Sequence, residues 1–206
     1  MATARWERAL FPVPELTSAR NGPFETFVWD VEPEGGVVQA TFYPDGSRCG
    51  GADPLLASYG WAFVARDDQG KTVAAAHGVP PKWVRSVAAT ETWALAMAAL
   101  SSLAHSSFRT DCLGVATTCA RGRKFATAGK QICAAVWGHF FRVLEDDVPD
   151  VSWIPAHTSP GDVGLTISAD DREGNAAAPM SAPKPLLLLA SRLGQIELSW
   201  RISIAW

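Results

Sequence analysis

Tyr59 to Arg66 reads as an alternating strand and Thr72 to Gly78 as the strand that returns, with Asp67-Asp68-Gln69-Gly70 between them. A period of two sends alternate side chains to opposite faces of a strand, and an Asp/Gly-rich break between two such runs marks a hairpin turn. Val37 to Tyr43 reads as a strand before this pair, expected to stop at Pro44, which has no ladder donor. The pattern then changes. Ser86 to Ala104 is rich in alanine and leucine and holds neither Gly nor Pro, which predicts a long helix. Phe108 to Thr110 is a short buried strand, Leu113 to Ala120 a short helix broken at Gly122, and Ala128 to Leu144 a longer helix. Val151 to Ile154 is the last strand, ended by Pro155. The order β-β-β-α-β-α-α-β predicts an α/β fold: a five-stranded mixed sheet, antiparallel in its first half and flanked by helices.

The flanks break this regularity. Residues 1–36 are rich in Pro and Gly and read as an extension or linker, with one short strand around Thr26 to Val31. The domain is expected over residues 37–178. Arg172 to Ala178 begins a final helix, which Pro179, Pro183 and Pro185 should prevent from continuing. Residues 179–206 are left as an atypical tail without a partner in the sheet.

Length and composition agree with one domain plus extensions. The chain has 206 residues, of which 48% are hydrophobic, ample for a core. Its nine tryptophans suit core packing, and several could line a nucleic-acid groove. Cys49, Cys112, Cys119 and Cys133 form no C-x-x-C pair, so they read as buried free thiols. Free thiols and the lack of a basic-then-apolar leader at Met1 suit an intracellular protein, nuclear or cytoplasmic. The longest apolar run, Leu186 to Ala190, is too short to span a bilayer, so no membrane association is expected.

A net charge of −3 argues against a general nucleic-acid binder, but its distribution is uneven. Between Lys82 and Arg142 there are eight basic residues against two acids, Glu91 and Asp111. A basic middle enclosing isolated acids suits a phosphate-facing surface with a metal site inside it. Arg121, Arg123, Lys124 and Lys130 are the candidates for gripping a nucleic-acid backbone.

Four segments carry candidate chemistry: T-F-Y-P-D-G-S (41–47), A-T-E-T-W-A-L (89–95), R-T-D-C (109–112) and W-I-P-A-H-T-S (153–159). Taken singly, Asp45 could form a turn before Gly46, Glu91 could sit on a helix surface, and Asp111 could cap a helix. Taken together, Asp45 ends a central strand, Asp111 follows a neighbouring one, and Glu91 rides on the helix that packs over them. Converging carboxylates repel unless a cation lies between them, and oxygen donors suit hard cations such as Mg²⁺. The small residues Gly46 and Ser47 would let metal and phosphate approach.

This series of segments in this order resembles ribonuclease H, closest in flavour to the domains of retroelements. The resemblance spans roughly Val37 to Ala178. It implies an endonuclease that hydrolyses the RNA strand of an RNA–DNA hybrid, with two Mg²⁺ ions, or Mn²⁺, held by Asp45, Glu91 and Asp111. It gives His157 the role of the loop histidine that assists proton transfer and product release, and it allows a reverse transcriptase context. The family also ends its site with a carboxylate in a G-N-x-x-A-D pattern. Here the segment reads Gly174-Asn175-Ala176-Ala177-Ala178-Pro179, so a proline stands at the acidic position. Asp170 or Asp171 would replace it only through a rearranged loop. An impaired module that binds hybrids, or a connecting domain of a reverse transcriptase, is therefore a second reading. An exonuclease of the same superfamily fits the D-G-S and P-A-H contexts less well.

Overall fold

The computed structural model describes residues 26–49, 57–144 and 149–181. Most of the expected extension and tail thus lies outside the described residues, including Pro183, Pro185 and the Leu186 to Ala190 run. The described residues form one sheet of six strands: β1 (Val28–Val31), β2 (Thr41–Cys49), β3 (Ser58–Arg66), β4 (Thr72–Gly78), β5 (Ser107–Thr110) and β6 (Asp150–Trp153). Their order across the sheet is β1-β4-β3-β2-β5-β6. The first four pair antiparallel, and β5 and β6 join β2 in parallel.

Two strand expectations need correction. The sheet has six strands rather than five, because the short strand foreseen in the extension pairs with β4 as its edge. His77 Nδ1 on β4 lies 2.8 Å from Asp30 Oδ2 on β1, which ties that edge down. Nor does β2 stop at Pro44: it continues to Cys49, with Pro44 opposite Phe63 and Asp45 opposite Ala62. The ladder between β2 and β5 covers only Thr41 and Phe42. Beyond Phe42, β2 is an edge on that side, where a residue without an N–H leaves no sheet partner unpaired. The β3–β4 hairpin is as expected. Asp67 Oδ1 accepts from the amides of Gln69 and Lys71, and Gly70 takes the positive φ of 74° that closes the turn.

Helix α1 (Val87–Leu100) begins at Ser86, whose hydroxyl accepts from the Ala89 amide at 3.1 Å. Helix α2 (Leu113–Ala120) ends before Gly122, whose φ is 80°. A short helix not foreseen, α3 (Arg123–Ala126), follows Gly122, and of the long helix expected over Ala128 to Leu144 only α4 (Ala134–Val143) forms, after a turn. The turn around Gly129 has nothing to bury: Ile132 is 93% exposed. Helix α5 (Ala169–Ser181) starts three residues before the expected Arg172 and runs through Pro179. Ser168 caps it, accepting from the Asp171 amide and donating to the Asp171 carboxylate. A proline so near the C-terminal end removes one backbone bond and does not interrupt a long helix.

The period-two pattern of the strands divides the core between the sheet faces. On one face Phe42, Phe63 and Phe108 pack with Trp93 and Leu95 of α1 and Trp137 and Phe140 of α4. The Phe42 ring centre is 5.6 Å from those of both Phe63 and Phe108. On the other face Tyr43 packs with Ile154 and Ile167, and Val64 and Ala75 pack with Ala178 of α5.

Helix α1 meets β2 closely at Gly46. A Cβ there would lie 2.6 Å from the Thr90 carbonyl carbon and 2.8 Å from Glu91 Cα, and would collide with the Glu91 amide nitrogen. Any side chain at 46 must therefore push α1 off the sheet. Gly46→Val is expected to destabilise the fold by about 1–3 kcal/mol or more, seen as a lower urea midpoint with unchanged slope. An unchanged midpoint would show that the contact is slack.

Candidate metal centre

The fold delivers three carboxylates to one place. Asp45 comes from the part of β2 beyond its ladder with β5, where the strands separate and leave room between them. Glu91, on α1, is brought over β2 by the close approach at Gly46. Its Oε2 accepts from the Gly46 amide at 2.9 Å. Asp111 follows the last residue of β5. The Trp153 indole donates to the Asp111 carbonyl at 3.0 Å, and the Cys112 amide donates to Thr110 Oγ1 at 3.1 Å, which fixes the backbone on both sides. One carboxylate oxygen from each acid lies within 4.8 Å of the others.

These groups sit together at an electrostatic cost. Burial, then the charges of Asp45 and Asp111, push Glu91 up to about 9, against the opposing pull of the Gly46 N–H. Burial, then the Asp111 charge, pushes Asp45 up to about 6. His157 opposes that rise, so the loop after β6 brings its imidazole within electrostatic range of Asp45. Among the described residues no Lys or Arg forms an ion pair with any of the three acids. Half-buried carboxylates without a cationic side chain, all offering hard oxygens, fit a divalent cation such as Mg²⁺ or Mn²⁺.

His157 is exposed and takes a positive φ of 53°. The Ser159 amide and hydroxyl both donate to Asp162 Oδ2 at 2.7 Å, which closes the loop behind it. Asp170 and Asp171 do not join the cluster. Asp171 accepts from the Tyr43 hydroxyl at 3.0 Å and from Ser168, and lies 4.0 Å from Arg109 Nε. The Asp170 backbone carbonyl accepts from Arg66 at 3.0 Å, at the β3–β4 hairpin.

Strand order, the parallel entry of β5 and β6, and the packing of α5 on the sheet can be compared with known structures. The solution structure of the PFV RNase H domain is similar with a TM-score of 0.50 at 18% identity, covering 72% of this chain and 94% of that one. The chain has the ribonuclease H-like fold. The crystal structure of LC9-RNase H1, a type 1 RNase H with the type 2 active-site motif, is similar at 12% identity with a TM-score of 0.44, over 70% of this chain and 73% of that one. No family model and no curated protein matches the sequence.

Within this ribonuclease H-like fold the basic candidates stand apart from the carboxylates. Arg121, Arg123, Lys124 and Lys130 are all exposed, around α3 and the turn after it. The Arg121 guanidinium lies 3.4 Å over the Phe125 ring centre. Helix α2 separates them from Asp111; its eight residues span about 12 Å at 1.5 Å each. No helix among the described residues is long and apolar enough to cross a membrane.

Two residues escaped the sequence reading as site components. Asn175 Nδ2 on α5 donates to Asp111 Oδ2 at 3.4 Å. Tyr43 holds Asp171, and burial with that neighbouring charge pushes its hydroxyl well above the usual tyrosine range. Asn175 had a signal: it lies one helical turn before Pro179 and shares its face. Tyr43 looked only like a strand residue.

The raised carboxylates predict a pH dependence. Ordinary values are 3.8 for Asp45 and 4.5 for Glu91, and the folded values are about 6 and about 9. The folded chain thus binds more protons than the unfolded one across this window, so the two groups cost stability as pH rises through it. The metal-free protein should lose more melting temperature between about pH 5 and pH 8 than an Asp45→Asn/Glu91→Gln double variant. Calorimetry of both proteins tests this. Parallel pH profiles would mean that the carboxylates are not strained together.

Proposed function

We propose that this protein is a metal-dependent endonuclease that hydrolyses the RNA strand of RNA–DNA hybrids, of the kind found in retroelements. The observation that carries the reading is the convergence of Asp45, Glu91 and Asp111 within 4.8 Å, without an ion-paired Lys or Arg among the described residues, in a ribonuclease H-like fold. In this reading the three carboxylates hold Mg²⁺ or Mn²⁺. Bound there, divalent ions supply an activated water and stabilise the leaving 3′ oxygen of an in-line displacement.

The chain's own residues set up that chemistry. The Gly46 amide orients Glu91 toward Asp45, and Trp153 fixes the backbone that presents Asp111. His157, exposed at the mouth of the cluster, takes up and delivers a proton during turnover and product release. Arg121, Arg123, Lys124 and Lys130 contact phosphates of the DNA strand, which positions the duplex without reading its sequence. RNA is distinguished by its 2′-hydroxyls near the scissile phosphate.

One observation favours a second reading, an impaired module that binds hybrids or serves as a connecting domain of a reverse transcriptase. Pro179 stands where the resemblance expects a fourth carboxylate, and neither Asp170 nor Asp171 replaces it. Loss of that ligand weakens one of the two ions, so cleavage should be slow in Mg²⁺ and faster in Mn²⁺, which binds such sites more tightly. The test is cleavage of a labelled hybrid by the natural chain and by Asp45→Asn in each metal. Cleavage lost in Asp45→Asn supports the enzyme, and equal background from both proteins leaves only the binding module.

Hybrid binding gives a separate readout. Replacing Arg121, Arg123, Lys124 and Lys130 with Gln should weaken binding for every sequence. It should also flatten the salt dependence by about one unit of log–log slope for each phosphate no longer neutralised. An unchanged slope would put the duplex on another surface.

A further inference from the structure

Helix α5 contributes no acid to the carboxylate cluster, yet it is held against it with care. Its register is set at three points on one side. The Tyr43 hydroxyl donates to Asp171 at 3.0 Å. Arg66 pairs with Glu173 at 2.8 Å. At Gly174 the helix backbone rests on the Tyr43 ring so closely that a Cβ would lie 2.5 Å from its carbons. The next residue is Asn175, half-buried, whose amide nitrogen lies 3.4 Å from Asp111 Oδ2. Among the described residues no other α5 side chain hydrogen-bonds to the cluster.

That separation has a second meaning. Two adjacent ligands of one octahedral ion, each about 2.1 Å from it, lie roughly 3 Å apart. Asn175 lies close to that spacing from one Asp111 oxygen and meets the cluster with a neutral amide. We propose that Asn175 is the fourth residue of the cation cage, a positioning residue that orients Asp111 and leaves the substrate-free protein with charge enough for one tightly held divalent ion.

The charge count supports this. Once a cation displaces their protons, the three carboxylates offer three negative charges, which one divalent ion leaves partly uncompensated and two over-compensate. A second ion would then be held firmly only with further negative charge, as from a substrate phosphate. Asn175→Asp is nearly isosteric and would supply that charge within the protein. Asn175→Ala would release Asp111, and loss of a hydrogen bond behind a metal ligand typically weakens the ion about tenfold or more.

The inference rests on the proposed metal-dependent function, and ion binding tests it apart from cleavage. Mn²⁺ is titrated into the substrate-free natural chain, Asn175→Asp, Asn175→Ala, and the control Asp170→Asn, an exposed side chain on the same helix, with calorimetry and the Mn²⁺ spin-resonance signal as readouts. Thermal melts show that each variant is folded. The expected result is one tight ion in the natural chain and in Asp170→Asn, two in Asn175→Asp, and one bound about tenfold more weakly in Asn175→Ala. Two tight ions in the natural chain, or one in Asn175→Asp, would overturn the inference and leave the nuclease reading intact. Unchanged affinity in Asn175→Ala would overturn it too. No Mn²⁺ binding by any of the proteins would overturn both.

Discussion

The Gly46 amide donates to Glu91 across a close approach of α1 to the sheet, and the rest of the centre depends on that approach. Without a Cβ at 46, the first turns of α1 come down onto β2 and Glu91 reaches the Asp45 strand. Apolar burial along the helix supplies the force. Trp93 and Leu95 fill the space over Phe42, Phe63 and Phe108, so apolar contact holds a carboxylate where electrostatics alone would repel it.

The same constraint explains the abnormal acids. Asp45 and Glu91 are raised first by burial and then by neighbouring charge, and among the described residues no Lys or Arg pairs with them in relief. A centre built this way trades stability for readiness to take up a cation. The surrounding structure withstands the strain because β2 is paired along its length with β3, and Asp111 is fixed through its backbone by Trp153 and β6.

Positive charge is organised differently. Arg121, Arg123, Lys124 and Lys130 form an exposed group around α3, one short helix away from the carboxylates. Placed closer, they would neutralise the acids and compete with a cation. On the other sheet face, Arg66 and Arg109 are engaged with Glu173, Asp150 and Asp171, where they secure α5 and β6.

Much of this was readable from residue pattern. The β3–β4 hairpin, α1, α2 and both parallel strands follow from local periodicity and turn chemistry, which act over a few residues. The segments that carry Asp45, Glu91 and Asp111 were readable too, and the three acids do come together. The failures share another cause. Pro44 does not end β2 because its neighbour on that side has already diverged, a fact about β5. Residues 28–31 are part of the sheet because β4 presents an open edge. Pro179 does not end α5 early because the helix is anchored through Tyr43 and Arg66. Asn175 belongs to the carboxylates through that same anchoring. Local sequence determined most of the strands and helices and which acids they carry. Only tertiary packing decided that Asp45 lies within β2 and how closely the three acids meet, because that distance is set by side chains far apart in the chain filling the same space.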